Sequence, residues 1–162
     1  MTDREFFIQT AADEAPRFER VFTAMPDDKL DYKPHPGSRS AKEIGISMVG
    51  EAMTFPVFLK TGVIDFGKVT WPSFANAAEI AGGFSKAFME AKTTAESMTE
   101  AEWASEGKMM LGEKEEWKTT RGGMAWGLFF DLIHHRGQLS TYLRPMGGKV
   151  PSIYGPSGDT KG

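Results

Sequence analysis

The chain has 162 residues, of which 40% are apolar and 25% charged, and its formal net charge is −3. This balance predicts a single globular domain over residues 1–162, and it excludes both a disordered chain and a basic surface for nucleic acid. Disulfides and thiolate metal sites are excluded because cysteine is absent. The charged start MTDREFFIQT and the lack of a long apolar run predict a cytoplasmic protein without a signal peptide or membrane span.

Four long amphipathic helices are predicted in chain order. The first three begin at a capping side chain that stands three residues before a glutamate, in the segments TDRE, SAKE and NAAE. Apolar residues recur at helical spacing behind each of these caps. The fourth helix is predicted from about Thr120 to Arg144, because Pro145 and the glycines that follow it are typical of a helix end.

These helices predict an all-α fold, a four-helix bundle with long crossover connections. The first connection, MPDDKLDYKPHPGSRS, has about fifteen residues and three prolines, which is too long for a tight antiparallel turn. Between the third and fourth helices, residues 99–103 predict a short extra helical turn. In the same connection, residues 108–111 and 117–119 predict a small hairpin.

A polar stripe runs along the last helix. Asp131, His135, Gln138 and Tyr142 share one face, since residues three and four apart are neighbours on a helix. His134 is rotated by about 100° from His135, and we interpret it as a boundary residue without chemistry. The spacing leaves three interpretations of Asp131 and His135 open: a simple pair, two ligands of one cation, or an acid/base dyad.

A metal site would need a third ligand from another element. The second helix offers Ser47 and Glu51, which are one turn apart, whereas His35 lies in a proline-rich connection. Arg136 and Arg144 are interpreted as surface residues or as partners in ion pairs between elements.

The segments YKPHPGSRSAKEI and HHRGQLSTYLRPMGGKVPSIYGPS resemble the DinB/YfiT-like four-helix-bundle superfamily of bacteria, in order and spacing along nearly the whole chain. The resemblance implies an atypical helix order and a homodimer. It also implies one divalent cation, commonly zinc or nickel, held by a histidine of the second helix and an H-x-x-x-H pair of the last. Some members of the superfamily are metal-dependent transferases or isomerases that use small thiols.

Carried over to this chain, the resemblance gives an uneven ligand set. His135 takes the place of the second histidine of the pair, Asp131 stands where the first is expected, and Ser47 stands at the histidine position of the second helix. This set predicts a degenerate site that holds Zn, Ni or Mn weakly or not at all. Glu51 would make the site richer in oxygen if it faced the same cavity.

Three functions therefore compete. The favoured one is a DinB-like protein that binds a small molecule with a weak metal or none, in a pocket containing Glu51, Gln138 and Tyr142. The second is a metal-dependent transferase or hydrolase, such as a small-thiol S-transferase, with the metal-free acid/base dyad as a variant. The third is a structural or stress-associated dimer. Whether the protein is an enzyme stays open, and neither nucleic acid nor a membrane is expected as a partner.

Overall fold

A computed structural model describes residues 1–161. Within that range it contains five α-helices and three strands, and none of these helices is long and apolar enough to cross a membrane. In chain order the elements are α1 (Asp3–Thr23), α2 (Ala41–Thr61), β1 (Val63–Asp65), α3 (Ala77–Ser97), α4 (Glu100–Ala104), β2 (Glu106–Leu111), β3 (Lys114–Thr120) and α5 (Arg121–Leu143).

The predicted starts of the four long helices are confirmed, and so is the predicted end of the last one. Thr2 and Ser40 each close a capping box with the glutamate three residues on, so that both residues satisfy a free backbone N–H. The Asn76 side chain accepts a hydrogen bond from the backbone N–H three residues on. Helix α5 lies between its capping residues Thr120 and Arg144, as the proline and glycines beyond it predict.

The four long helices contact one another in a closed ring. Helix α1 packs on α3, α3 on α2, α2 on α5, and α5 on α1. Aromatic rings fill the centre, where Phe18 lies 4.8 Å from Phe84 and 5.6 Å from Phe88 between ring centroids. Each fully buried ring of this kind stabilises the fold by roughly 1.5–3 kcal/mol. The order of the four helices makes α2 and α5 neighbours in space, although α3 and the sheet separate them in sequence.

The all-α prediction is incomplete because the described residues also contain a three-stranded sheet in the order β1-β2-β3. Strand β1 pairs in parallel with β2, and β2 pairs antiparallel with β3. The predicted hairpin is confirmed, with Lys108 opposite Lys118 and Met109 opposite Trp117. The predicted extra turn is α4. Strand β1 was not predicted, since three residues directly after a helix give no alternating pattern.

Asp65 joins the hairpin to the connection that follows α2. Its Oδ1 accepts hydrogen bonds from the backbone N–H groups of Gly67 and Gly112, each at 3.0 Å. Gly112, with φ of 64°, turns the chain between β2 and β3. One carboxylate thereby fixes two loops relative to each other, and residues of the site described below lie after β1 and on the two strands of the hairpin.

A buried ion pair holds the C-terminal tail against α1 and α5. Glu14 and Arg136 are 5% and 2% exposed, and the Arg136 guanidinium donates to the Glu14 carboxylate and, at 2.6 Å, to the Tyr154 hydroxyl. The Tyr154 hydroxyl in turn donates to Glu14 at 3.0 Å. Arg136 thus pairs between elements, as one of its two interpretations predicted, and it does so in the interior rather than at the surface.

Candidate functional site

A cavity of about 510 Å³ lies between α2 and α5. Ser47 and Glu51 line it from α2, and Asp131 and His135 line it from α5. In both helices the two residues are four apart, so each pair lies on one helix face. The remaining lining residues are mostly apolar and come from the connections, the sheet and the first half of α5: Arg39, Phe66, Trp71, Met109, Trp117, Gly127 and Leu128.

His135 is the centre of the hydrogen bonding in this cavity. The residue is only 8% exposed, and its Nδ1 lies 2.7 Å from Oε1 of Gln138. Its Nε2 lies 3.2 Å from Oδ2 of Asp131, one turn earlier in α5. Because partners stand at both ring nitrogens, the imidazole is held in one orientation at the wall of the cavity.

Arg39 is the site residue that the sequence did not predict. Its Nη1 donates to Ser47 Oγ at 3.0 Å, and its Nη2 lies 3.0 Å from His135 Nε2. Arg39 immediately precedes Ser40, the N-cap of α2, and its backbone carbonyl accepts a hydrogen bond from the Tyr142 hydroxyl at 3.3 Å. The guanidinium therefore bridges α2 and α5 across the cavity.

Glu51 is a buried carboxyl at the α2 side. The residue is 5% exposed, and its Oε1 has no hydrogen-bond partner among the described residues. Burial, and then the negative charge of Asp131, raise the pKa of Glu51 from 4.5 to about 9, while the charge of Arg39 acts in the opposite direction. Glu51 is therefore an uncharged carboxylic acid at neutral pH.

Asp131 and His135 shift each other's pKa in opposite directions. Their hydrogen bond is the largest cause in both cases: it lowers the pKa of Asp131 and raises the pKa of His135. Burial acts against both shifts, and Arg39 lowers the pKa of His135 through its positive charge. The pair therefore favours a carboxylate beside an imidazolium.

The other predicted residues fall into two groups. Gln138 and Tyr142 support the site indirectly, the first through His135 and the second through the Arg39 backbone. His134 is exposed, although its ring centroid is 5.3 Å from that of His135, and His35 is exposed and accepts a hydrogen bond from the Gly37 N–H in its own loop. Neither of these two histidines lines the cavity.

Two glycines let indole rings lie directly on the helices of the cavity. A Cβ atom on Gly50 of α2 would meet the Trp71 ring at 2.4 Å, and one on Gly127 of α5 would meet the Trp117 ring at 2.4 Å. No real Cβ contact is that short, so any other residue at either position would displace the indole. Gly50 is adjacent to Glu51 and Gly127 is one turn before Asp131, so the rings border the polar residues.

The donor set does not fit a divalent cation. Residues 1–161 contain no group of three or more His, Cys, Asp or Glu side chains that could hold a metal ion. Ser47 supplies only a neutral hydroxyl, and that hydroxyl already accepts a hydrogen bond from Arg39. A metal bound to Ser47 and His135 would also lie next to the positive guanidinium.

Four long helices in a ring have a cavity between two of them, which is a place where helical proteins commonly bind ligands. The chain belongs to the DinB family, whose model matches residues 1–160. This finding confirms the resemblance seen in the two sequence segments.

Solved structures support the same fold. A DinB-like protein from Bacillus cereus ATCC 10987 is 20% identical, with a TM-score of 0.74 over 93% of this chain and 97% of that one. A DinB-like protein from Bacillus subtilis is 18% identical, with a TM-score of 0.68 over 91% of this chain and 96% of that one. No curated protein matches the chain.

Proposed function

We propose that this DinB-family protein binds a small molecule in the α2–α5 cavity and does so without a metal ion. In this proposal the four long helices are the family's four-helix bundle, and the metal site that the resemblance implies is degenerate. Ser47, Asp131 and His135 keep their places around the cavity as hydrogen-bonding groups.

The contact that carries the proposal is the one between Arg39 and two of those three positions. Its guanidinium is 3.0 Å from Ser47 Oγ and 3.0 Å from His135 Nε2. A divalent cation beside that guanidinium would be repelled, because like charges close together in a partly buried site interact strongly. In this proposal the Arg39 guanidinium supplies a permanent positive charge beside Ser47 and His135.

The size and lining of the cavity support a small-molecule ligand. Its volume of about 510 Å³ lies inside the range of about 300–1,000 Å³ that is usual for such sites. Apolar side chains such as Phe66, Met109 and Leu128 form much of the wall, and a few polar groups converge on one region. This combination of apolar wall and local polarity is typical of small-molecule pockets.

The metal half of the proposal is tested by elemental analysis of untagged protein together with thermal unfolding before and after chelator treatment. We expect no stoichiometric zinc, nickel or manganese and an unchanged melting temperature. One equivalent of metal that is lost in His135→Ala would contradict the proposal, and it would support the metal-dependent transferase or hydrolase instead.

The binding half is tested with the neutral fluorescent probe N-phenyl-1-naphthylamine. Ser47→Trp places a large side chain in the cavity, whereas Ser85→Trp adds the same side chain at an exposed position of α3. We expect Ser47→Trp to abolish the fluorescence increase and Ser85→Trp to preserve it. Equal binding by both variants would show that the probe does not enter the cavity.

A further inference from the structure

Arg39 brings a positive charge to the cavity without a carboxylate partner. Among the described residues, no carboxylate oxygen lies within 4.0 Å of its guanidinium nitrogens, which contact a hydroxyl and an imidazole instead. An arginine held by such groups retains N–H donors and its full charge for a ligand. Guanidinium groups of this kind recognise carboxylates through paired, charge-assisted hydrogen bonds.

The cavity also has two aromatic walls. Trp71 and Trp117 line the cavity and are 47% and 38% exposed. Gly50 and Gly127 allow each ring to lie flush with the helix that carries the polar residues. The free faces and edges of these indoles offer contact area to an apolar or aromatic group.

We propose that the ligand is a small organic carboxylate, its acid group held by Arg39 and its aromatic or apolar body packed against Trp71 and Trp117. This proposal rests on the proposed function and adds the chemical class of the ligand. The nearest competing charge is Asp131, which favours an ammonium ligand. Its Oδ2 is paired with His135 at 3.2 Å and its side chain is 53% exposed, so pairing and solvent weaken its influence on the cavity.

The proposal is tested with three probes that share one aromatic body: 1-naphthaleneacetate, its neutral amide, and 2-(1-naphthyl)ethylamine as the cation. Binding is measured by calorimetry and by quenching of tryptophan fluorescence. We expect the acid to bind roughly tenfold or more tightly than the amide, which is the usual contribution of a hydrogen bond to a charged group. The amine should bind most weakly.

Arg39→Met keeps most of the length of the side chain and removes its charge, and Arg20→Met makes the same change at an exposed position of α1. The preference for the acid over the amide should disappear in Arg39→Met and persist in Arg20→Met. The amide should bind Arg39→Met about as well as it binds the original protein. If the preference survives in Arg39→Met, or if the amine binds best, the carboxylate proposal is overturned.

The aromatic walls are tested separately through the two glycines. Gly50→Ala and Gly127→Ala add one methyl group that displaces Trp71 and Trp117, respectively. Gly82→Ala on α3 and Gly137→Ala on α5 are matched controls, because an added Cβ there meets no atom within 4 Å. We expect the first two variants to weaken all three probes and the controls to leave binding unchanged. Equal affinities in all four variants would show that the two indoles do not contact the ligand.

These outcomes separate the two proposals. If no probe binds, or if the protein carries a stoichiometric metal, the proposed function itself fails. If all three probes bind with similar affinity and Ser47→Trp blocks them, the cavity binds small molecules and only the carboxylate assignment fails. Circular dichroism of each variant establishes that a loss of binding is not a loss of fold.

Discussion

Arg39 Nη2 lies 3.0 Å from His135 Nε2, although the two residues are 96 positions apart in sequence. Arg39 reaches this place from the connection before α2, where its backbone is fixed by the start of the helix and by the Tyr142 hydroxyl. His135 reaches it from the middle of α5. Their contact joins the connection before α2 to α5, and it places a positive charge in the polar part of the cavity.

The proposal that Arg39 opposes a metal ion leads to a gain-of-function prediction. Ser47→His with Asp131→His restores the three imidazoles that the resemblance implies, and Arg39→Met is then added to the pair. We expect the triple variant to bind zinc at least roughly tenfold more tightly than the double variant, because the like charge has been removed. Calorimetry with zinc measures both affinities. Equal affinities would show that Arg39 does not oppose a metal.

The pKa of Glu51 predicts a pH-dependent cost in stability. Its ordinary value of 4.5 applies to the unfolded chain, whereas burial raises the folded value to about 9. Between these values the unfolded chain releases a proton that the folded chain keeps, so the free energy of unfolding falls as pH rises. The slope for one such group is about 1.4 kcal/mol per pH unit. Stability is thus lost progressively as the pH rises from about 4.5 to about 9.

Glu51→Gln removes this titration and keeps the shape of the side chain. We expect the variant to gain stability relative to the original protein as the pH is raised from 5 to 8, measured by urea unfolding at each pH. Glu19→Gln, at an exposed position of α1, is the matched control and should show no such divergence. If the free energies of unfolding of Glu51→Gln and the original protein differ by a constant amount across this range, the raised pKa of Glu51 is contradicted.

Much of the fold could be predicted because it depends on local chemistry. The capping residues Thr2, Ser40 and Asn76 act on backbone groups within the next turn, so the sequence carries their effect directly. The shared face of Asp131 and His135 follows from helical spacing in the same way. Strand β1 was missed since it is held by its neighbour β2 rather than by any pattern of its own.

The cavity could be predicted only in part. Ser47 and Glu51 line the same cavity as Asp131 because α2 packs on α5. The resemblance had indicated this place for Ser47, whereas for Glu51 it stayed open. Arg39 was missed because the direction of a long side chain in a connection depends on tertiary contacts. Its position directly before the N-cap of α2, eight residues ahead of Ser47, was the one available signal. The indole walls depend on Gly50 and Gly127, whose role appears only when a distant ring packs on them.

Two variants should move the pKa of His135 in opposite directions. Asp131 raises that pKa, mainly through its hydrogen bond, and Arg39 lowers it through its charge. Asp131→Asn should therefore lower the pKa of His135, and Arg39→Met should raise it further. Nuclear magnetic resonance titration of the imidazole Cε1–H signal gives both values, with His135→Ala identifying the signal. A shift in the same direction for both variants would contradict the assignment of causes.

The raised pKa of His135 also makes the free energy of unfolding depend on pH. Because the folded pKa of His135 is raised above its ordinary 6.5, the Asp131–His135 pair contributes fully below about pH 6.5. The contribution is lost as the pH rises through the folded value. In a Glu51→Gln background, which removes the other titration, Asp131→Asn should be most destabilising at pH 5 and least at pH 9. Urea unfolding at the two pH values measures the difference.

Breaking the buried pair of Glu14 and Arg136 should cause a large loss of stability, and a second substitution should recover part of it. Arg136→Met leaves the Glu14 carboxylate buried with only Tyr154 and Arg17 as partners, and breaking a buried pair in this way costs about 3–5 kcal/mol. Glu14→Gln added to Arg136→Met removes the stranded charge and should recover a large part of that loss. Tyr154→Phe deletes only a hydroxyl and should cost about 1 kcal/mol.

Urea unfolding of the three variants checks this order, with limited proteolysis reporting on the tail separately. The Arg17 Nε donates to the backbone carbonyl of Ile153 at 3.1 Å, so part of the tail attachment survives in Tyr154→Phe. We therefore expect faster cleavage after residue 149 in Arg136→Met than in Tyr154→Phe. If the double variant is no more stable than Arg136→Met, the cost arises from lost packing around the guanidinium, which lies 4.7 Å from the Phe18 ring centroid, rather than from an unpaired charge.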